Sequence, residues 1–229
     1  MGYSFAIPPT TFNLLIGLAI MYHTFIAGAT GSGKTYYSRL LIKDRDIPYL
    51  IYFNSGFDLQ IEKACDFVVS DIRHLIKILK KEPDVAICYN PSGAREVDTK
   101  KIEEIQSLVF NIGLKLNKDK IKQWLIFCID EIQLYDSKQK PNNIVESLYT
   151  RGRRYGIVMV GISQRPALVS HTVLTQSREH IYFRFPDYEK PYTKKYFGER
   201  IDEYWDWLDK DYHYIKITDG QIKKYLPVK

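Results

Sequence analysis

The chain has 229 residues and a formal net charge of +6, with 45% hydrophobic and 26% charged residues. A chain of this length can bury a sizeable apolar core, so the composition excludes a disordered polymer and a small scaffold that needs disulfides or metal staples. Its three cysteines, Cys65, Cys88 and Cys128, share no CxxC or Cys/His spacing, which argues against a zinc site and for a reducing compartment. The positive charge is compatible with an ordinary solvated surface and with an acidic polymer as partner.

The first apolar segment of the chain is Leu14–Met21, which follows Pro8 and Pro9. It is too short to span a bilayer and lacks the basic start of a signal peptide. The prediction is therefore an N-terminal helical extension over residues 1–21 that packs on the domain. An intracellular protein without stable transmembrane insertion is expected.

Beyond this segment, short apolar runs alternate with longer amphipathic ones, which is typical of βαβ units. Strands are predicted at His23–Ala27, Tyr49–Phe53, Val85–Tyr89, Trp124–Ile129, Ile157–Ile162, His180–Phe185 and Tyr212–Ile217. Helices are predicted at Lys34–Lys43, Asp71–Lys80, Thr99–Leu116, Asn143–Arg151 and Lys190–Phe197. Asp136–Asn143 is predicted to be an exposed loop. The pattern indicates one α/β domain over residues 1–229, with a mostly parallel central sheet flanked by helices.

A glycine-rich loop follows the first predicted strand and matches the phosphate-binding pattern G-x-x-x-x-G-K-[ST] at every fixed position. Its residues are Gly28, Ala29, Thr30, Gly31, Ser32, Gly33, Lys34 and Thr35. Glycines allow backbone N–H groups to turn toward phosphates, and the following helix N-terminus adds donors with a favourable dipole. Lys34 is expected to reach the β- and γ-phosphates of ATP and Thr35 to ligate Mg²⁺, and Tyr36 completes the predicted nucleotide-binding set.

Two carboxylates, Asp130 and Glu131, end the apolar run Leu125–Ile129. Asp130 is expected to orient Mg²⁺, and Glu131 is suited to polarise the water that attacks the γ-phosphate. A Glu directly after the Asp is expected for hydrolysis rather than for a simple nucleotide switch. A helix-capping acidic pair at a strand end is the structural alternative.

Polar residues before and after the next predicted strand are further candidates. Gln164 follows that strand, where its amide could lie near the γ-phosphate and the attacking water, or simply bind backbone at the strand end. Arg151, Arg153 and Arg154 precede the strand. One of them could neutralise transition-state charge from a neighbouring subunit, and the cluster could equally be a solvated face or a DNA-phosphate contact.

Together, Gly28–Thr35, Ile129–Glu131, Gly152–Gly156 and Ile162–Pro166 resemble the FtsK/HerA superfamily of P-loop DNA translocases. Within that superfamily, the short chain is most similar to the genome-packaging ATPases of membrane-containing icosahedral viruses, especially those of archaeal turreted viruses. The similarity covers roughly Tyr22–Phe185. The phosphate loop is common to many families. The turn at Gln164 that follows the Arg-Gly-Arg-Arg segment Arg151–Arg154 is more specific to this superfamily.

The resemblance implies a RecA/FtsK-like fold and a homo-oligomeric ring, expected to be a hexamer, that hydrolyses ATP at subunit interfaces and drives double-stranded DNA through its pore. Gln164 then matches the family's sensor glutamine, and one of Arg151, Arg153 and Arg154 matches a trans-acting finger. Lys34 lies so near the start of the sequence that this motor is expected to lack the N-terminal barrel or membrane helices of larger members. A packaging motor is expected in the host cytoplasm during virion assembly, at the capsid vertex and in contact with a capsid or packaging-vertex protein.

Three other functions remain open from the residues. A filament-extrusion ATPase of the kind found in filamentous phages would need a membrane segment, for which only Leu14–Met21 could serve. A nucleotide-controlled assembly switch does not need a residue that activates water. The presence of Glu131 beside Asp130 therefore argues against a switch. Cellular helicase-like and plasmid functions complete the alternatives.

The segment Pro186–Lys229 is dense in aromatic residues and is predicted to extend the sheet. Aromatic side chains interleaved with Lys could stack on bases, but double-stranded DNA offers no free bases, so packing against the sheet edge or a neighbouring subunit is preferred. Trp205 and Trp207 lie among acidic residues, which makes them poor nucleic-acid contacts and suggests docking of a protein as a hypothesis.

Overall fold

The computed structural model describes residues 22–116 and 123–227. The predicted helix around Leu14–Met21 lies outside these ranges. Within them, nine strands form one sheet with the spatial order β3-β4-β2-β5-β6-β1-β7-β8-β9. The strands are β1 Thr24–Ala27, β2 Tyr49–Phe53, β3 Phe67–Val69, β4 Val85–Tyr89, β5 Leu125–Ile129, β6 Ile157–Ser163, β7 Glu179–Tyr182, β8 Tyr214–Thr218 and β9 Gln221–Tyr225.

The seven strands from β3 to β7 in this order pair in parallel, and β8 and β9 continue the sheet in antiparallel register. Every residue of β2, β4, β5 and β6 is buried, as expected for parallel strands that are covered on both faces. The helices are α1 Lys34–Lys43, α2 Leu59–Ala64, α3 Ile72–Lys81, α4 Arg95–Leu116, α5 Asn143–Arg151, α6 His171–Gln176, α7 Lys190–Phe197 and α8 Trp205–Leu208. The predicted α/β fold with a mostly parallel sheet is confirmed.

The helices pack on the two faces of the sheet, in two separate hydrophobic clusters. Leu41 of α1 and Ile61 of α2 pack in one cluster, whereas Leu75 of α3, Ile105 of α4 and Leu148 of α5 pack in the other. Each parallel strand is joined to the next by a helix that returns over one face, so the carboxyl ends of the strands meet at one edge. That edge is where nucleotide sites form in open α/β sheets.

The sequence pattern missed β3 and β9. The strand β3 has three residues and two of them, Phe67 and Val68, are exposed, so no buried apolar run marks it. The strand β9 is the charged sequence Gln-Ile-Lys-Lys-Tyr at the sheet edge, where lysine discourages further pairing. Helix α4 starts before its predicted first residue, Thr99, because the buried carboxylate of Asp98 accepts hydrogen bonds from the backbone of Ser92 (2.7 Å) and thereby ties the preceding turn to the helix.

In the segment predicted to be an exposed loop, Lys138–Pro141 and Asn143 are exposed. Asp136 is buried, against the prediction, because its carboxylate accepts hydrogen bonds from the Ser170 hydroxyl and from the backbone N–H of Asn142 (2.8 Å). The Asp136 carboxylate therefore ties the start of this loop to its end and to Ser170.

The aromatic residues after Pro186 pack largely within the chain. The Tyr214 ring stacks on that of Tyr225 with the centroids 5.0 Å apart. The indole of Trp205 donates to Asp202 (3.0 Å) and that of Trp207 to the carbonyl of Tyr214 (3.3 Å). In the part of the chain that the structure describes, no helix has the length and apolar character needed to cross a membrane.

Candidate nucleotide site

The phosphate loop connects the carboxyl end of β1 to the first turn of α1. Gly31 and Gly33 have φ angles of 73° and 115°, in the left-handed region that favours glycine. A Cβ on Gly28 would lie 2.7 Å from both the Phe183 Cβ and the Ser32 Oγ. Gly33 is therefore favoured by its backbone conformation, and Gly28 by the close approach of neighbouring side chains.

Lys34 is buried at the base of this loop, where its ammonium donates to the carbonyls of Gly28 (2.7 Å) and Ala29 (2.9 Å). Burial lowers the pKa of Lys34, and the nearby charges of Glu131 and Asp130 oppose that shift. The ammonium thus lies inside the loop, within reach of an anion that the loop would enclose.

The acidic pair lies across from the loop because β5 and β1 both neighbour β6 in parallel. The pKa of Asp130 is raised to about 7 by burial and by the adjacent Glu131. Glu131 has a φ of 47°, an unusual conformation for a residue with a side chain and one that is concentrated at functional sites. Its carboxylate accepts hydrogen bonds from the amides of Gln133 and Gln164.

Gln164 bridges the loop and the acidic pair. Its amide nitrogen donates to Glu131, and its amide oxygen accepts a hydrogen bond of 2.6 Å from the Thr30 hydroxyl. The residue directly follows β6, the strand between β1 and β5. Three predicted groups from three parts of the sequence therefore meet at one edge of the sheet.

A further carboxylate, Asp58, was missed by sequence reasoning. Its side chain accepts a hydrogen bond of 3.1 Å from the Thr35 hydroxyl and caps the first turn of α2. It belongs to the loop after β2, in which a Cβ on Gly56 would lie 3.1 Å from an oxygen of Asp130. The available signal was a polar residue shortly after the predicted strand Tyr49–Phe53, but no fixed spacing marks it.

Oxygen donors from Thr35, Asp58 and Asp130 face a common cavity of about 210 Å³. Hydroxyl and carboxylate oxygens suit Mg²⁺, which commonly takes one or two carboxylates together with water and substrate phosphates. Across residues 22–116 and 123–227, no group of three or more His, Cys, Asp or Glu residues could hold a metal ion by itself. The donor set therefore fits a Mg²⁺ ion that is shared with a bound nucleotide.

The arginine cluster does not join this site. Arg151 ends α5 and Arg153 and Arg154 lie in the 3-10 turn that precedes β6, so all three are at the amino ends of the strands. The Arg153 guanidinium lies 5.8 Å from the ring centroid of Tyr22, just before β1. The cluster precedes β6 and Gln164 follows it. Because β6 has seven residues and spans about 20 Å, the cluster and Gln164 lie at opposite ends of the strands.

Several solved structures resemble this chain in fold. The genome packaging NTPase B204 from Sulfolobus turreted icosahedral virus 2, in complex with AMP, has a TM-score of 0.71 at 18% identity, over 93% of this chain and 100% of that chain. B204 from Sulfolobus turreted icosahedral virus, a DNA-packaging ATPase, has a TM-score of 0.66 at 18% identity, over 91% and 98% of the two chains. VirB4 of Thermoanaerobacter pseudethanolicus has a TM-score of 0.64 at 10% identity, over 90% and 89%.

No protein-family model matches the chain, and no curated protein sequence does. At identities below 20%, the structural likeness establishes the fold. The chain thus has the fold of the P-loop NTPases, in the form shared by B204 and VirB4. The fold implied by the FtsK/HerA resemblance is confirmed.

Proposed function

We propose that this protein is a P-loop ATPase that translocates double-stranded DNA and packages a viral genome into a preformed capsid. The observation that supports the proposal most strongly is the contact of Gln164 with both Thr30 and Glu131. It links the loop that would hold the phosphates to the carboxylate suited to activate water. An amide in this position can respond to the presence or loss of a γ-phosphate.

In the proposed reaction, backbone N–H groups of Gly28–Gly33 and the Lys34 ammonium bind the phosphates of ATP. Thr35 and Asp130 would hold Mg²⁺, which when bound offsets charge on the β- and γ-phosphates. Glu131 accepts a proton from water as the water oxygen attacks the γ-phosphorus, and Gln164 orients that water. The bond from the γ-phosphorus to the β–γ bridging oxygen breaks, and ADP and phosphate leave.

The DNA substrate and the assembly follow from the family resemblance and from what the solved neighbours are described to do. Two of them are a genome packaging NTPase and a DNA-packaging ATPase. In the proposal, the chain forms a homo-oligomeric ring, expected to be hexameric, and works in the host cytoplasm at the capsid vertex with a capsid or packaging-vertex protein. The net charge of +6 is compatible with a partner that has a phosphate backbone.

Displacement of a third strand from double-stranded DNA tests translocation directly. The protein with ATP and Mg²⁺ is expected to release a triplex-forming oligonucleotide from a long duplex, and Lys34→Ala is expected to release none. ATP hydrolysis without strand release would contradict translocation and favour an assembly ATPase.

A further inference from the structure

A second cavity, of about 600 Å³, opens beside the phosphate loop. It shares Gly31, Lys34, Thr35 and Asp58 with the polar cavity that contains the acidic pair, so the two are continuous. Its volume lies within the range of small-molecule sites, about 300 to 1,000 Å³. The rest of its lining is mainly aromatic or apolar and consists of Gly33, Tyr36, Tyr37, Gln60, Phe183, Tyr212 and Pro227.

Tyr212 forms the wall of this cavity that lies against the loop. A Cβ added to Gly33 would lie 3.2 Å from a ring carbon of Tyr212, so the ring contacts the phosphate loop itself. The side chain remains 56% exposed, which leaves ring surface open toward the cavity. Tyr212 also has a φ of 59°, a strained conformation for an aromatic residue and one that is concentrated at ligand sites.

Two of the polar side chains that line the cavity make hydrogen bonds within the chain. The Gln60 side-chain oxygen accepts a hydrogen bond of 3.1 Å from Arg39. Asp58 caps α2 and accepts from Thr35. The cavity therefore offers a ligand a mainly aromatic surface, and its other polar groups are the Lys34 ammonium, tyrosine hydroxyls and the Gln60 amide nitrogen.

We propose that this cavity binds the base of the nucleotide, that the base stacks on Tyr212, and that the site therefore distinguishes ATP from GTP only weakly. The inference rests on the proposed ATPase function, because the phosphates in the loop place the base in the adjoining cavity. Stacking recognises the π-face that every base has, whereas discrimination between bases requires hydrogen bonds to their edges. Two of the lining residues, Tyr212 and Pro227, belong to the C-terminal extension of the sheet. This extension would therefore take part in nucleotide binding.

Binding titrations with two ligands separate the base from the phosphates. The ligands are a non-hydrolysable ATP analogue and inorganic tripolyphosphate, each with Mg²⁺. Tyr212→Ala is expected to weaken the analogue about tenfold, within the range measured for base stacking, and to change tripolyphosphate binding less than about twofold. Tyr212→Phe, which keeps the ring, is expected to bind both ligands as the unmodified protein does. Tyr188→Ala removes an exposed tyrosine elsewhere and is the matched control.

The corresponding GTP analogue is expected to bind within about fivefold of the ATP analogue. Equal weakening of both ligands by Tyr212→Ala, or of neither, would overturn the stacking assignment. A preference for ATP over GTP of about a hundredfold would overturn the weak discrimination. If the unmodified protein binds neither the ATP analogue nor tripolyphosphate, the proposed function itself is wrong and the base assignment falls with it.

Discussion

Gln164 shows how the site depends on single side chains. Its amide touches Thr30 on the phosphate loop and Glu131 on the acidic pair, so it connects the two halves of the proposed reaction. Glu131 adopts a left-handed backbone conformation at the same place. In the proposed reaction, Glu131 therefore accepts the proton, and the amides of Gln133 and Gln164 orient its carboxylate.

Replacement of Glu131 by Gln removes the proton acceptor and keeps the size of the side chain. We expect kcat for ATP hydrolysis to fall by about 10²- to 10⁴-fold, the usual contribution of a general base, while nucleotide binding is retained. Steady-state turnover and equilibrium binding of ATP measure the two effects separately. Glu103→Gln, an exposed carboxylate on α4, is the control and is expected to behave as the unmodified protein. Turnover that survives Glu131→Gln would show that another group activates the water.

The predicted site residues that the structure brings together share one property. Gly28, Asp130 and Gln164 each follow an apolar run, and parallel neighbouring strands bring their carboxyl ends together. Asp58 and Tyr212 were not predicted as site residues because no fixed spacing relates them to the loop. Their positions depend on the path of a connecting loop and of the C-terminal extension, which a single sequence does not specify.

At the level of elements, β1 leads into the phosphate loop at its carboxyl end. Two buried histidines lie near the amino ends of β1 and of its neighbour β7. His23 precedes β1 and accepts a hydrogen bond of 2.9 Å from the backbone N–H of Met159, and His180 lies within β7. Burial lowers the pKa of both to about 4, and for His23 the charge of Arg153 adds to the effect. Both side chains are therefore neutral in the folded protein at pH 7.

Because the unfolded chain binds these protons first, each histidine contributes stability that is fully present above its unfolded pKa of 6.5 and is lost as the pH falls toward 4. The loss is on the order of 3 kcal/mol for each histidine. Asp130, whose pKa is raised to about 7, changes stability in the opposite direction over this pH range, so the comparison with His180→Gln isolates the histidine. In denaturant unfolding at pH 7 and pH 4.5, the unmodified protein is expected to lose roughly 2 kcal/mol more stability than His180→Gln. An unchanged slope in His180→Gln would contradict the assignment.

Elements at the edge of the sheet were the hardest to predict. The strand β9 has two lysines and little apolar surface. Its extended conformation therefore depends on hydrogen-bonded pairing with β8 rather than on a hydrophobic pattern in its own sequence. The central strands are continuous apolar runs and were predicted within one or two residues of their ends. Local sequence therefore predicts buried parallel strands, and tertiary pairing decides the edge.

At the scale of the whole molecule, the arginine cluster lies at the amino ends of the strands and the phosphate loop at their carboxyl ends. Arg151, Arg153 and Arg154 are exposed and cannot reach the loop of their own chain. A finger role therefore requires a neighbouring copy, in a head-to-tail interface that a ring would close. The resemblance implies a trans role for one of these arginines, and the distance along β6 excludes only a role in the site of the same chain.

Mixing two inactive variants tests this arrangement. Lys34→Ala lacks a working loop, and a variant with the three arginines replaced by Ala lacks the cluster, so each is expected to be inactive alone. Mixed in equal amounts, they are expected to recover roughly a quarter of the normal ATPase rate, the share of interfaces that combine an intact loop with an intact cluster. A mixture that stays inactive would argue against a shared site.

The most direct test of the proposed DNA-translocating ATPase is the steady-state rate of ATP hydrolysis with and without long double-stranded DNA, at low and moderate salt. A motor that grips the phosphate backbone is expected to hydrolyse ATP several-fold faster with DNA, and this stimulation is expected to weaken as salt rises. Turnover that is indifferent to DNA at every salt concentration would contradict the proposal and indicate an assembly ATPase or a switch.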